Sequence, residues 1–187
     1  MTSRSIHLIS AVVSTAMLSL TAGCADNAQK KEMPTYESIS QNQFIPTNQI
    51  AALALLERAK PALSSRQPLI VATLVDINAL ERSSTMGRLI SEQISGAFSR
   101  SGYHMIEMKF RENVYIKKTE GELLLTREIT DVALLHNAQA VIVGTYAMAS
   151  DIVYINLKVV QPGSNIVLAA HDYALPIDNN IKAMLVR

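Results

Sequence analysis

Hydrophobic residues follow different spacings along the chain, and each spacing predicts a different element. Continuous apolar runs at residues 69–76 and 140–147 are typical of strands that are covered on both faces of a sheet. Alternation at 152–160, a turn at Pro162-Gly163 and a further run at 166–175 predict an antiparallel meander with one wet face. The residues predicted to face the core are Val153, Ile155, Leu157 and Val159.

The two longest segments with helical spacing lie at residues 47–60 and 83–102. The first helix is expected to begin at a cap, Thr47 or Asn48, and to stop at Pro61. Its predicted apolar face is Ile50, Leu53, Leu56 and Ala59. The second helix is expected to follow a cap at Ser83 or Ser84 and to stop at Gly102. Its predicted apolar face is Met86, Leu89, Ile90, Ile94, Ala97 and Phe98.

Two shorter helices are predicted nearer the carboxyl end. One covers residues 128–136, with Asn137 suited to its end, and the other is capped by Asp178 and runs to Val186. A strand at 103–108 and a hairpin at 113–125, turning at Glu120-Gly121, complete the pattern.

The order of these elements predicts the fold class. The strands at 69–76 and 103–108 are joined through a helix, which makes a right-handed βαβ unit with parallel pairing. We expect an α/β fold bordering on α+β. It is a single domain over residues 47–187, whose mixed sheet has a βαβ core and a carboxyl-terminal antiparallel meander, with helices packed on the sheet.

The amino-terminal segment reads as an export signal. Arg4 is followed by an apolar run from Ile6 to Leu20, which is too short and too lightly flanked for a transmembrane helix. The run ends at Thr21-Ala22-Gly23-Cys24, which resembles the lipobox of bacterial lipoproteins, although that pattern usually has a larger aliphatic residue where Thr21 stands. The alternatives are an ordinary cleaved signal with an incidental cysteine and an uncleaved anchor.

The lipobox resemblance implies that Cys24 carries the lipid and becomes the first residue of the mature chain. Residues 1–23 are then the signal peptide, with Thr21, Ala22 and Gly23 recognised by the peptidase, and residues 24–46 form a polar, flexible tether. In the lipoprotein sorting rule, Asp directly after the lipidated cysteine retains a protein at the inner membrane. Because Ala25 stands there, we expect the outer membrane, with the protein on its periplasmic face.

Charge and cysteine content narrow the function classes. The formal net charge of +1 includes Arg4, so the chain after the signal is neutral and suggests no nucleic-acid partner. A single cysteine excludes an internal disulfide and CxxC metal or redox sites. With no Trp and three Phe, the core is expected to be aliphatic and rich in methionine.

No residue pattern points to catalysis, so we expect no enzyme activity and no cofactor or metal. Phosphate-loop, dinucleotide, zinc-protease and hydrolase-elbow motifs are absent from the sequence. Asp76, at the end of a predicted central strand, is the best-placed carboxylate, but Asp76-Ile77-Asn78 also reads as an Asx turn. Structural or solvated roles are favoured for the other candidates, which are His104, His136, His171 and Arg127.

Several strings resemble the FlgO family of flagellar outer-membrane lipoproteins. They are Val75-Asp76-Ile77-Asn78, GRLISEQ at 87–93, Gly102-Tyr103, Leu125-Thr126-Arg127-Glu128 and AVIVGTY at 140–146. The resemblance implies a non-enzymatic lipoprotein with a structural role in the flagellar basal body or outer-membrane ring, required for motility. Its implied partners are the other ring proteins, with a homo-oligomeric ring of its own.

The same pattern is distantly similar to the TolB amino-terminal domain and to the curli secretion channel. The alternative function is therefore a component of an outer-membrane secretion or polysaccharide-export assembly, including a lipoprotein pore. Only the strands at 151–160 and 166–175 are long enough to span a bilayer, and His171 or Asp172 would then fall on the apolar face. A half-buried hairpin is favoured instead, with its exposed edge available for lateral contacts.

Overall fold

A computed structural model of the chain describes residues 33–106 and 127–186. The short helix α1 (Tyr36–Ser40) belongs to a compact unit that ends at Ser40, and all other elements belong to the unit that starts at Gln41. The larger unit contains the helices α2 (Phe44–Ala59), α3 (Thr85–Arg100), α4 (Arg127–Leu135) and α5 (Asn179–Leu185). Its strands are β1 (Leu69–Val71), β2 (Val75–Asp76), β3 (Met105–Ile106), β4 (Ala140–Met148), β5 (Ile152–Val160) and β6 (Val167–Pro176).

Side-chain hydrogen bonds cap the start of the helix α1. The Ser38 N–H donates to Thr35 Oγ1 at 3.2 Å, and the Thr35 N–H donates to Ser38 Oγ at 3.0 Å. These reciprocal bonds satisfy two amides that the helix start would otherwise leave unpaired. No residue of α1 is buried. The predicted tether thus contains one turn of helix.

The strands form one six-stranded mixed sheet. The order is β3-β1-β4-β5-β6, and β2 pairs with β4 beyond the end of β1. β1 pairs in parallel with both β3 and β4, while β4, β5 and β6 pair antiparallel. The predicted βαβ core, meander and mixed sheet are confirmed.

The predicted continuous strand at 69–76 is wrong in one respect, because the chain leaves the ladder between β1 and β2. Ser91 of α3 bonds the main chain between the two strands, since the Leu74 N–H donates to Ser91 Oγ at 2.9 Å. The Ser91 hydroxyl in turn lies 3.0 Å from the Gly87 carbonyl and 3.3 Å from the Ala72 carbonyl. A buried hydroxyl thus replaces the missing ladder bonds.

Helices cover both faces of the sheet, and each face has its own core. On the first face, α2 packs on β5 and β6, α3 packs on β1 and β3, and α5 packs against α3. The large buried side chains there include Leu55, Leu56, Met86, Ile90, Ile94, Phe98, Ile142, Ile155, Leu157 and Ile181. On the second face, the residues of α4 pack near the start of β4. This smaller core consists of Ile70, Ala72, Ala133, Ala138, Val141 and Val160.

The start and the buried face of α2 differ from the prediction. The helix begins at Phe44, whose N–H donates to Asn42 Oδ1 at 2.9 Å, so the caps predicted at Thr47 or Asn48 are wrong. Pro46 falls in the first turn, where its missing N–H costs no helical bond. Leu56 and Ala59 are buried as predicted, but Ile50 is 68% exposed and Leu53 is 47% exposed. The buried residues of α2 are Asn48, Ala51, Ala52, Leu55, Leu56 and Ala59.

The described ends of α3, α4 and α5 agree with the caps and stops predicted from the sequence. Ser84 caps α3 by accepting the Gly87 N–H at 3.1 Å, and Asp178 caps α5 by accepting the Ile181 N–H at 2.7 Å. Gly102 and Asn137 have positive φ after α3 and α4. Of the predicted α3 face, only Leu89 is exposed. The predicted hairpin at 113–125 lies outside the described residues.

These elements confirm the predicted α/β class with a mixed sheet. In the described residues, no helix has both the length and the apolar character needed to cross a membrane. The faces of β5 also match the prediction, since Val153, Ile155, Leu157 and Val159 are buried and Tyr154 is exposed. The β5–β6 hairpin is therefore the half-buried hairpin of the two alternatives.

Candidate interaction surface

The string at 87–93 is explained by packing. A Cβ on Gly87 would lie 2.5 Å from the Leu74 carbonyl oxygen and 3.0 Å from the Tyr146 ring, so α3 approaches the sheet more closely than any side chain at this position would permit. Ser91, one turn later, bonds the main chain between β1 and β2. Both residues fix α3 on the sheet and leave no reactive group at the surface.

Gln93, the last residue of the string, belongs to a polar network inside the first core. The Asn48 amide donates to Gln93 Oε1 at 2.7 Å, and the Tyr173 hydroxyl donates to Asn48 Oδ1 at 2.7 Å. Burial raises the pKa of Tyr173 well above its ordinary value of 10, so the phenol stays a hydrogen-bond donor. The network links α2, α3 and β6.

Asp76 closes a turn. Its Oδ1 accepts the Asn78 N–H at 2.8 Å, and its own N–H donates to the Arg82 carbonyl at 2.9 Å. This is the Asx turn that the sequence offered as an alternative to a functional carboxylate. Asp76 therefore shapes the loop between β2 and α3.

The described candidates His104, His136 and His171 lie on different elements and form no common site. His104 and His136 are exposed at the ends of different elements, and His171 lies on β6 beside Arg58. Arg127 begins α4, but its side chain lies outside the described residues, as do Thr21, Ala22, Gly23 and Cys24. Within ranges 33–106 and 127–186, no three acidic, histidine or cysteine side chains are grouped to hold a metal ion.

Among the described residues, no helix covers one part of the second face of the sheet. Beyond the residues packed with α4, the strands form a shallow depression of about 240 Å³ lined by Ile77, Thr145, Ala147, Tyr154, Ile155, Asn156, Asp172 and Tyr173. Two of its polar side chains pair with each other, because the Asn156 amide donates to the Asp172 carboxylate across the strands. The depression is shallow and open to solvent.

The edge of β6 is the second unusual feature of this region. Arg58 of α2 reaches it: Nη1 donates to the Ala170 carbonyl at 2.9 Å and contacts His171 Nδ1 at 2.8 Å. Burial lowers the pKa of His171, the Arg58 cation lowers it further, and Asp172 opposes them. The neutral imidazole is the form that can accept a bond from Arg58. Sequence reasoning missed Arg58, because nothing in helical spacing marks contact with a strand over a hundred residues later.

Comparison with known proteins now identifies the family. The model of the FlgO protein family matches residues 49–180, which begin within α2 and extend through β6 to the start of α5. The chain belongs to the FlgO family. Membership makes it a flagellum-associated lipoprotein by family and confirms the resemblance drawn from the strings at 87–93 and 140–146. No curated protein matches the sequence.

Solved structures confirm the fold of this FlgO-family chain. The LpoB C-terminal domain from Salmonella enterica superposes with a TM-score of 0.52 at 11% identity, covering 72% of this chain and 98% of that chain. The LpoB C-terminal domain from Escherichia coli gives the same TM-score and coverage at 8% identity. At such identities, the likeness shows a shared fold alone.

Proposed function

We propose that this protein is a lipid-anchored outer-membrane protein with a structural, non-enzymatic role in the flagellar basal body or outer-membrane ring, and that it is required for motility. The match of the FlgO family model to residues 49–180 carries this proposal. The geometry supports it, because Gly87, Ser91 and Gln93 act in packing and hydrogen bonding within the core.

The anchor is proposed to be diacylglycerol on Cys24 together with an acylated amino terminus. Each buried methylene contributes about 0.8 kcal/mol, so one chain holds a protein only marginally and three hold it firmly. Ala25, directly after the cysteine, favours transfer to the outer membrane. The segment from Cys24 to Gln43 then separates the lipid from α2.

The anchored body is proposed to assemble laterally. A protein held in a plane meets its neighbours at a raised effective concentration, so weak contacts suffice. The proposed partners are other proteins of the flagellar outer-membrane ring and further copies of this chain. The uncovered depression on the sheet and the edge of β6 are the surfaces that such contacts would use.

Two substitutions test the anchor and the membrane separately. Cys24→Ser is expected to leave a folded protein that is lost from the membrane fraction, and to impair swimming in soft agar. Ala25→Asp keeps the lipid and is expected to move the protein to the inner membrane. Normal motility together with unchanged fractionation of Cys24→Ser would overturn the proposed function.

A further inference from the structure

We propose that the free edge of β6 pairs antiparallel with the β6 edge of a second copy of this chain, around a twofold axis centred on His171. This inference rests on the proposed lateral assembly and names one surface for it. The contact is isologous, so it joins two protomers, and any ring contact would use other surfaces.

Within the ranges 33–106 and 127–186, the main-chain groups on the outer side of β6 have no strand partner. In an antiparallel pair, alternate residues direct their N–H and C=O groups to the partner strand and the others direct them away. The Ile177 N–H donates to the Asp151 carbonyl at 2.7 Å, and the register pairs Leu175 with Val153. Residues 169, 171, 173 and 175 therefore bond to β5, and residues 170, 172 and 174 present their main-chain groups to the free edge.

The length of β6 favours a second copy as the occupant. β6 has ten residues, whereas β2 and β3, the other described strands at the periphery, have two each. An edge of ten residues is best satisfied by a strand of similar length. Among the described strands, that strand is β6 itself. Pro176 occupies an outward position where an N–H would otherwise point away, and it limits the pairing at that end.

The charges favour one register. With the axis at His171, Ala170 lies opposite the partner's Asp172. Lys158 of β5 lies opposite Ala170 on the other side, on the same face of the sheet. Lys158 and the partner's Asp172 are then two strand spacings apart, about 10 Å, with a small alanine between them, which a lysine side chain can bridge. Two symmetric ion pairs result.

Neighbouring registers lack this complementarity. An axis at Asp172 would place two carboxylates directly opposite each other, which destabilises a pair of strands. An axis at Ala170 would place the two Lys158 side chains on either side of two alanines, with no carboxylate between them. The charge pattern thus selects His171 as the centre.

The helix over this edge supports the same arrangement. Ile50, Ala54 and Arg58 are spaced at four residues on α2, so they form one stripe, and its Arg58 end bonds the edge of β6. Ile50, at the other end of the stripe, is 68% exposed. In a sheet continued through β6, the two α2 helices lie on the same face, and these stripes face a common groove.

Arg58 closes the edge in the single chain. Its guanidinium donates to the Ala170 carbonyl. In the proposed pair, that carbonyl accepts the N–H of the partner's Asp172 instead. Arg58 must therefore be displaced when the strands pair. Arg58→Ala is expected to tighten self-association by about 25-fold, because neither of the two protomers then has to break an exposed charge-assisted hydrogen bond, each of which accounts for about fivefold. Arg58→Lys, which keeps the charge, serves as the matched control.

A disulfide scan tests the axis directly in the full mature protein, purified in detergent. A residue on the twofold axis meets its own copy as a non-hydrogen-bonded pair with Cα atoms about 4.5 Å apart, which suits a disulfide. His171→Cys is therefore expected to give a disulfide-linked dimer under mild oxidation. Val167→Cys on the same strand, Tyr154→Cys on β5 and the wild-type protein are expected to stay monomeric on a non-reducing gel.

A charge exchange tests the register. Lys158→Asp and Asp172→Lys, each added to His171→Cys, are expected to lower the dimer yield at least fivefold, and the double exchange is expected to restore it. Circular dichroism checks that every variant is folded. Equal cross-linking of His171→Cys and Val167→Cys, or no restoration by the double exchange, would overturn the pairing.

These outcomes separate the pairing from the proposed function. A protein that is acylated, lies in the outer membrane and supports motility, yet gives no dimer through position 171, overturns the pairing alone. A protein that lacks acyl chains but still cross-links at position 171 overturns the anchor alone.

Discussion

The Tyr173 hydroxyl of β6 donates a 2.7 Å hydrogen bond to Asn48 Oδ1 of α2, joining residues 125 positions apart. Asn48 is fully buried, and its amide also donates to Gln93 of α3. Three elements of the first core therefore share one polar centre. Since buried amides and phenols are costly without partners, each member depends on the other two.

Removal of Asn48 is expected to destabilise the fold. Asn48→Ala leaves the Tyr173 hydroxyl and Gln93 Oε1 without their partner, at a cost of about 2 kcal/mol in the free energy of unfolding. Tyr173→Phe removes one bond and is expected to cost about 1 kcal/mol. Urea denaturation followed by circular dichroism measures both, with Thr47→Ala, the adjacent residue, as a control expected to change little. Equal midpoints for Asn48→Ala and Thr47→Ala would contradict the network.

Gly87 and Gly96 form a matched pair on α3. Gly87→Ala is expected to cost about 3 kcal/mol or more, because its Cβ meets the Leu74 carbonyl at 2.5 Å and main chain cannot swing away. Gly96→Ala meets only the end of the flexible Arg100 side chain at 3.1 Å. It is expected to be neutral or to stabilise by about 0.5–1 kcal/mol through helix propensity. Thermal melts distinguish the two, and a Gly87→Ala protein as stable as the wild type would contradict the close approach of α3 to the sheet.

The stability of the fold is expected to depend on His171 below neutral pH. Burial and the Arg58 cation lower its pKa below 6.5, so the unfolded state takes up a proton at a higher pH than the native state. The contribution of neutral His171 is complete above about pH 6.5 and is lost as the pH falls.

Thermal melts between pH 5 and 8 measure this effect. The wild-type melting temperature is expected to fall more steeply on acidification than that of His171→Gln, which keeps a polar side chain but cannot titrate. Parallel curves for the two proteins would exclude a role of His171. Because Asp172 opposes the shift, removing its charge with Asp172→Asn is expected to steepen the wild-type slope.

The sequence predicted most described elements correctly because their signals are local. Ser84 and Asp178 are caps of α3 and α5, Asn137 ends α4 with positive φ, and alternation in β5 assigns its two faces correctly. Each of these features depends on residues within one turn or one strand.

The wrong predictions concern features that depend on contacts between residues far apart in the sequence. The helix α2 has apolar side chains on several sides. Whether Ile50 or Leu55 is buried therefore depends on where β6 and α3 pack. Asn48 is buried because Gln93 and Tyr173 meet it there. The break between β1 and β2 likewise follows from Ser91, seventeen residues after Leu74. Periodicity contains no information about such partners.

In the proposed function, diacylglycerol on the Cys24 sulfur and a third acyl chain on its amino group fasten this FlgO-family domain to the outer membrane. The most direct measurement is intact-mass and peptide mass spectrometry of the protein purified from outer-membrane fractions. We predict an amino terminus at Cys24 carrying diacylglycerol and a third acyl chain. A mature chain that begins elsewhere, or a Cys24 with a free thiol, would contradict the account.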